Sequence, residues 1–254
     1  MKYLILLTLA FNSFAFDHNH TKWNSILKRY VQIEGSQSFF DYKGMKENLK
    51  DLQSYLGEIE GLKKDEYKNF TKDQQLAFWI NAYNAFTVQI VTKNYPLNSI
   101  KDIGYGGFNP IKTIWDREFI KLSLSRRKYS LNRIEHKTIR KYFKEPRIHF
   151  AVNCASMGCP SLLDEAFVAT KLNTQLDSVA KNFLTNTDKN KYDSTSKELV
   201  ISKIFKWYGG DFKEQFQGPK GYISKYIEFP KGTNIEWDSY SWKLNEIKNM
   251  GSNK

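Results

Sequence analysis

The sequence predicts an α+β fold, a mostly helical single domain with a small β-sheet. Three observations predict it. Apolar residues recur at helical spacing in several long segments, a short stretch near residue 150 alternates apolar with polar residues, and composition shifts nowhere abruptly across residues 16–254. With 254 residues, 41% of them hydrophobic and 15% aromatic, the chain can build one substantial core. No internal repeat and no Pro/Ser-rich linker marks a second unit.

Residues 1–15, MKYLILLTLAFNSFA, read as a secretory signal peptide. Lys2 gives a basic start, residues 3–11 are apolar but too few to span a bilayer, and Ser13-Phe14-Ala15 is a small-x-small cleavage pattern. Export predicts a periplasmic or secreted protein with no transmembrane segment in its mature chain. The formal charge of +12 falls by one when Lys2 leaves with the leader. Such a balance favours anionic partners, and an anionic cell-envelope polymer fits, whereas specific nucleic-acid binding is not expected. Dispersed lysines such as Lys43, Lys63 and Lys72 read equally well as solvated helix faces. The substrate is not legible.

In chain order, Trp23, Ile26, Leu27, Tyr30 and Val31 share one face of a helix over residues 21–33, followed by a connector over 35–42. Met45, Leu49, Leu52, Tyr55 and Leu56 mark a second helix, ending near Gly57 and Gly61. A third begins at Thr71, which with Gln74 forms a capping box, and runs to about Asn94 before Pro96. It is apolar on nearly every side, as a helix in the middle of a domain must be. Asn81 and Asn84 share a face of it. Two buried amides need partners: either they tie down neighbouring loop backbone, or one of them orients a catalytic group. Residues 104–110 are glycine-rich but lack the Lys-Ser/Thr ending of a phosphate loop, and no cofactor motif appears elsewhere. Residues 118–130 suggest a short hairpin. Ser130 caps a helix ending before Pro146, which carries Glu135 and His136 about 100° apart.

Both cysteines lie in RIHFAVNCASMGCPSL, residues 147–162. Ile148, Phe150 and Val152 alternate with Arg147, His149, Ala151 and Asn153, which predicts a buried strand over 147–153. That strand ends at Cys154, and small residues with Pro160 then turn the chain. A helix follows over 171–185, a strand over 198–202, an aromatic group (Phe205, Trp207, Tyr208, Phe212, Phe216), a short helix within 218–229, and a tail with Trp237 and Trp242.

Four motifs now stand in order: WINAYNA at 79–85, SLNRIEH at 130–136, the cysteine stretch at 147–162, and IFKWYGGDF at 204–212. Together they resemble the domain of unknown function 547 family, over roughly residues 20–245. The resemblance implies a single domain with buried Asn, Glu-His and Asn-Cys motifs, which fall here at Asn81, Glu135-His136 and Asn153-Cys154, with Cys159-Pro160 following. It carries no established reaction.

The residues themselves allow three chemistries. In the first, Cys154 attacks an amide or ester carbonyl in the cell envelope as a thiol hydrolase or acyltransferase. His136 or His149 accepts the thiol proton, and Glu135 or an Asn such as Asn81 orients the imidazole. In the second, Cys154 and Cys159 form a structural disulfide in an oxidising compartment and the domain is a non-catalytic binding or scaffold module. In the third, His136, His149, Cys154 and Cys159 hold a metal, but C-x4-C lacks the close ligand pairs of zinc sites, so neither metal nor cofactor is expected.

Overall fold

A computed structural model describes residues 15–107 and 111–251, so the signal-peptide reading lies, but for Ala15, outside the described residues. Helix α1, Thr21–Tyr30, buries Trp23, Ile26, Leu27 and Tyr30 as its periodicity predicts. It stops three residues early. Val31–Glu34 (β1) and Gln37–Phe40 (β2) form an antiparallel hairpin with Val31 opposite Phe40 and Glu34 opposite Gln37. The β-branched pair Val31 and Ile33 favours extended backbone, and Gly35 at φ 58 supplies the left-handed turn that closes the hairpin. Helices α2 (Tyr42–Glu47), α3 (Leu49–Gly61) and α4 (Lys64–Lys68) follow.

Helix α5, Lys72–Asn94, is the axis of the molecule. Thr71 and Gln74 close the predicted capping box at its start, and side chains from Leu76 to Thr92 are buried around its whole circumference. Phe78, Ile80, Phe86 and Val91 are fully enclosed. Burying each stabilises the fold by roughly 1.5–3 kcal/mol. The predicted hairpin at 118–130 reduces to one bridge, Ile120 with Tyr129.

The helix after Ser130 is not α-helical throughout. Residues Arg133–Ile139 form a π-helix that tightens into α6, Arg140–Phe143. The widened turn buries Ile134, Glu135 and Ile139 together.

The strand predicted at 147–153 is corrected. Pro146–Phe150 form a 3-10 turn, and Ile148, His149 and Phe150 are all buried, so alternation there does not sort residues onto two faces. Three features fix the turn. Pro146 presets φ at its first position, the Glu145 carboxylate accepts the Arg147 backbone N–H at 3.0 Å, and the Arg147 guanidinium forks onto the same carboxylate. Cys154 therefore follows a helical turn, not a strand end.

Helix α7, Leu172–Leu184, forms as expected. Asn190–Asp193 (β3) pairs antiparallel with Glu198–Ile201 (β4), which pairs in parallel with Asn234–Trp237 (β5). This three-stranded sheet and the β1–β2 hairpin are the β part of the α+β fold. Between β4 and β5 lie the short helices α8 (Ile204–Tyr208), α9 (Lys213–Phe216) and α10 (Pro219–Ile223). Among the described residues no helix is long and apolar enough to cross a membrane.

Candidate functional site

The asparagines are the knots that shape the cysteine loop. Asn84 accepts the Asn153 backbone N–H at 2.8 Å and donates to the Ala151 carbonyl at 3.0 Å. Asn153 in turn accepts from the Ala155 N–H at 2.8 Å and donates to the Pro160 carbonyl at 2.7 Å, so one side chain spans both ends of the loop. Asn81 does the same for another segment, bridging the Phe167 N–H and carbonyl at 3.0 and 2.7 Å. Buried amides thus satisfy loop backbone.

The tail clamps the loop from the other side. Met157 and Gly158 donate to the carbonyls of Lys243 and Ser241, both at 2.8 Å, and Asn245 donates to that of Ala155. The approach is close enough that a Cβ on Gly158 would lie 2.9 Å from the Ser241 carbonyl oxygen and the Tyr240 ring. From a third direction the Lys189 ammonium donates to the Cys159 carbonyl at 2.6 Å and to Gln37 at 2.7 Å. Burial lowers that ammonium to about 8.

Cys154 and Cys159 are joined as a disulfide. The pair is asymmetric: Cys159 is 2% exposed, whereas Cys154 is only half-buried. The Cys154 N–H reaches Cys159 Sγ at 3.0 Å, and the Tyr240 hydroxyl stands 3.2 Å from each sulfur. Ser156 Oγ lies 3.2 Å from the Tyr240 oxygen, 3.3 Å from Cys154 Sγ and 3.5 Å from Cys159 Sγ. Burial raises the Tyr240 phenol, with Ser156 opposing, so Tyr240 keeps its proton as a donor.

Both sulfurs line a pocket of about 250 Å³, which also collects Glu135 from the π-helix, His149 from the 3-10 turn, Tyr83 from α5, Tyr208 from α8, and Tyr240 and Trp242 from the tail. His149 is anchored by Asp211, whose carboxylate lies 2.7 Å from Nε2. Burial works to raise Asp211, but hydrogen bonds from His149 and Arg140 outweigh it and hold the carboxyl below its usual range. As a carboxylate Asp211 can only accept, so Nε2 carries the proton and the buried Nδ1, which has no hydrogen-bond partner among the described residues, is left with its lone pair. Burial likewise lowers His149, with Asp211 opposing, which favours the neutral ring. Tyr208 stacks on it, ring centroids 4.0 Å apart.

His136 borders the pocket behind Glu135 and Tyr208. Its Nδ1 meets the Arg140 guanidinium at 3.0 Å, and it does not line the pocket. Of the five residues singled out in the sequence, Glu135, His149 and Cys154 converge on the pocket, while Asn81 and His136 do not line it. Tyr83 lies inside WINAYNA, and Tyr208 with Asp211 inside IFKWYGGDF, so the motifs had marked their neighbourhoods. Tyr240 and Trp242 carried no signal beyond aromatic content.

The family model for proteins of unknown function, DUF547, matches residues 67–184. The chain resembles that family. The DUF547 segment contains α5, the π-helix and the whole cysteine loop, while Tyr208, Asp211, Tyr240 and Trp242 come from chain beyond it. No curated protein and no solved structure matches the chain.

Proposed function

We propose that the pocket is a site of thiol–disulfide exchange. A substrate thiolate attacks Cys154 Sγ, the Cys154–Cys159 bond breaks, and Cys159 leaves as a thiolate while a mixed disulfide forms on Cys154. A second substrate thiolate attacks the substrate sulfur of that intermediate and expels Cys154. Two thiols become one disulfide, the protein takes up their two electrons and two protons as a dithiol, and a disulfide-bearing molecule reverses the sequence to restore it.

The observation that carries this reading is the donor set around the leaving sulfur. Cys159 Sγ is faced by the Cys154 N–H at 3.0 Å and, like Cys154 Sγ, by the Tyr240 hydroxyl at 3.2 Å, while Cys154 is the less buried residue of the pair and takes the attack in this reading. A hydrogen bond to a charged group is worth about 1.5–3 kcal/mol, so Tyr240 alone supports about a tenfold or larger effect on departure of the thiolate. The leader read in the sequence fits this chemistry, because persistent disulfides belong to oxidising compartments.

A second reading applies to the dithiol form. His149, held by Asp211 with Nδ1 unpartnered, lines the same pocket as Cys154. Here the imidazole takes the thiol proton and Cys154 attacks an amide or ester carbonyl. The leaving amine or alcohol departs with that proton, and water or another nucleophile releases the acyl group.

Treating the folded, oxidised protein with excess 2-mercaptoethanol and counting thiols by mass separates these readings. Exchange predicts rapid gain of two hydrogens, slowed about tenfold in Tyr240→Phe. A disulfide that stays intact until the protein unfolds overturns both enzymatic readings and leaves a binding domain. Hydrolysis of a p-nitrophenyl ester by the reduced protein, lost in both Cys154→Ala and His149→Ala, selects acyl transfer.

A further inference from the structure

The pocket wall has a chemistry that the sulfurs do not explain. Trp115, Trp207, Tyr240 and Trp242 meet at angles rather than in one plane: Trp207 and Tyr240 lie 4.8 Å apart at 61°, Tyr240 and Trp242 4.8 Å apart at 53°, Trp115 and Trp242 5.5 Å apart at 65°, and Trp207 and Trp242 6.1 Å apart at 32°. A flat stack of rings suits the face of a sugar; rings inclined to one another along a pocket wall give a concave surface on which more than one ring face can meet a single cation. The Trp242 indole already accepts one, since the Lys101 ammonium lies 3.8 Å from its centroid.

At the same pocket sits Glu135, 4% exposed. In a chain of formal charge +12 the described residues that line the pocket include this one carboxylate and no lysine or arginine. Nearby cations are otherwise engaged. Arg140 is bidentate on Asp211 at 2.6 and 2.8 Å, and the nearest ion-pair partner of Glu135 is the His136 ring at 3.9 Å. Burial lowers His136, against the pull of Glu135, so the ring is mostly neutral at pH 7. Among the described residues no lysine or arginine is ion-paired with Glu135, so a cation entering the pocket can pair with it directly. The Tyr83 and Tyr208 hydroxyls border Glu135 and fix its orientation.

We infer that the pocket binds an organic ammonium group, held by the Glu135 carboxylate and flanked by Trp207, Tyr240 and Trp242. This names the ligand class of the exchange site proposed above: a thiol or disulfide whose chain carries an ammonium a few bonds from sulfur. A basic surface would not recruit such a ligand, so selection rests on the pocket itself.

The test uses the oxidised full-length protein and two molecules of one shape, choline and its neutral carbon isostere 3,3-dimethyl-1-butanol, each titrated against tryptophan fluorescence. Choline should bind at least tenfold more tightly than the isostere. Glu135→Gln should erase that preference while leaving the isostere's affinity unchanged, and Trp242→Leu should weaken choline binding. Equal binding of the two molecules to the unaltered protein, or binding of neither, overturns the inference whatever the variants do. Because neither probe contains sulfur, a failure here leaves thiol exchange standing. Conversely, choline selectivity that persists in Cys154→Ser/Cys159→Ser shows the ammonium site to be independent of the sulfur chemistry.

Discussion

Single residues in this protein act on backbone as much as on ligand, and Asn84 is the clearest case. Its amide satisfies the Asn153 N–H and the Ala151 carbonyl, both buried, and through Asn153 it reaches the Ala155 N–H and Pro160 carbonyl that close the cysteine loop. Asn84→Ala leaves two backbone groups without partners, at roughly 1–3 kcal/mol each. Urea unfolding should therefore show a loss of about 2–6 kcal/mol. Asn84→Asp should recover only the half that needs an acceptor. Gly158 tests the other side of the loop. A Cβ there would press within 2.9 Å of the Ser241 carbonyl oxygen and the Tyr240 ring, atoms held by the tail. Gly158→Ala should cost about 1–3 kcal/mol as overpacking does. Because the Tyr240 ring is one of the atoms displaced, the variant should also slow thiol exchange, whereas a substitution that merely destabilised the domain would leave the rate at low denaturant unchanged.

At the scale of elements, legibility followed the length of the pattern. Helix α5 carries more than six turns of consistent signal and a capping box at Thr71, and the structure forms both where the sequence placed them. Short segments were decided by groups that periodicity does not weigh. The 147–153 alternation lost to Pro146 and the Glu145 carboxylate, which together favour a 3-10 turn. The site was legible as three anchors, Glu135, His149 and Cys154, because each sits in a motif. Its aromatic wall was not, since Tyr240 and Trp242 reach the pocket from a chain end that is remote in sequence. The π-helix was equally invisible: an extra residue in a turn looks like an ordinary helix until Ile134 and Ile139, five apart, are found buried together. Such insertions commonly mark functional sites, because they hold side chains that an α-helix would rotate away. Deleting the exposed Lys137 should return the segment to α-helical register with Ile134 and Ile139 four apart. Calorimetry should find the melting temperature unchanged or higher. Choline titration should find affinity reduced, since the turn that aims Glu135 is gone; undiminished affinity would mean that the widened turn has no part in the pocket.

For the molecule as a whole, burial of its titratable rings sets how stability responds to acid. All four histidines, His18, His20, His136 and His149, are lowered chiefly by desolvation. His20 falls to about 4, buried against Tyr55, whose hydroxyl is 2.8 Å from Nδ1; Asp17 opposes the shift and His18 adds to it. The folded state therefore prefers neutral imidazoles, and the unfolded chain binds more protons once pH drops below the ordinary histidine value of about 6.5. Stability contributed by these rings is complete above that value and is lost as pH falls toward about 4. His20 alone accounts for roughly 3 kcal/mol of that loss, from the difference between its two states. Asp211, held low by His149 and Arg140, extends the decline downward from the usual carboxylate range, because the unfolded carboxyl takes up its proton there while the folded one still resists it. Urea midpoints measured from pH 7.5 to 4 should fall steadily through this window. His20→Asn, which tolerates the left-handed backbone at φ 49 and carries no charge at any pH, should be less stable at pH 7.5 yet show a shallower decline. A parent protein whose midpoint holds constant from pH 6.5 to 4 would show that its histidines titrate as freely when folded as when unfolded, and the burial that builds the core around α1 would then have no acid cost.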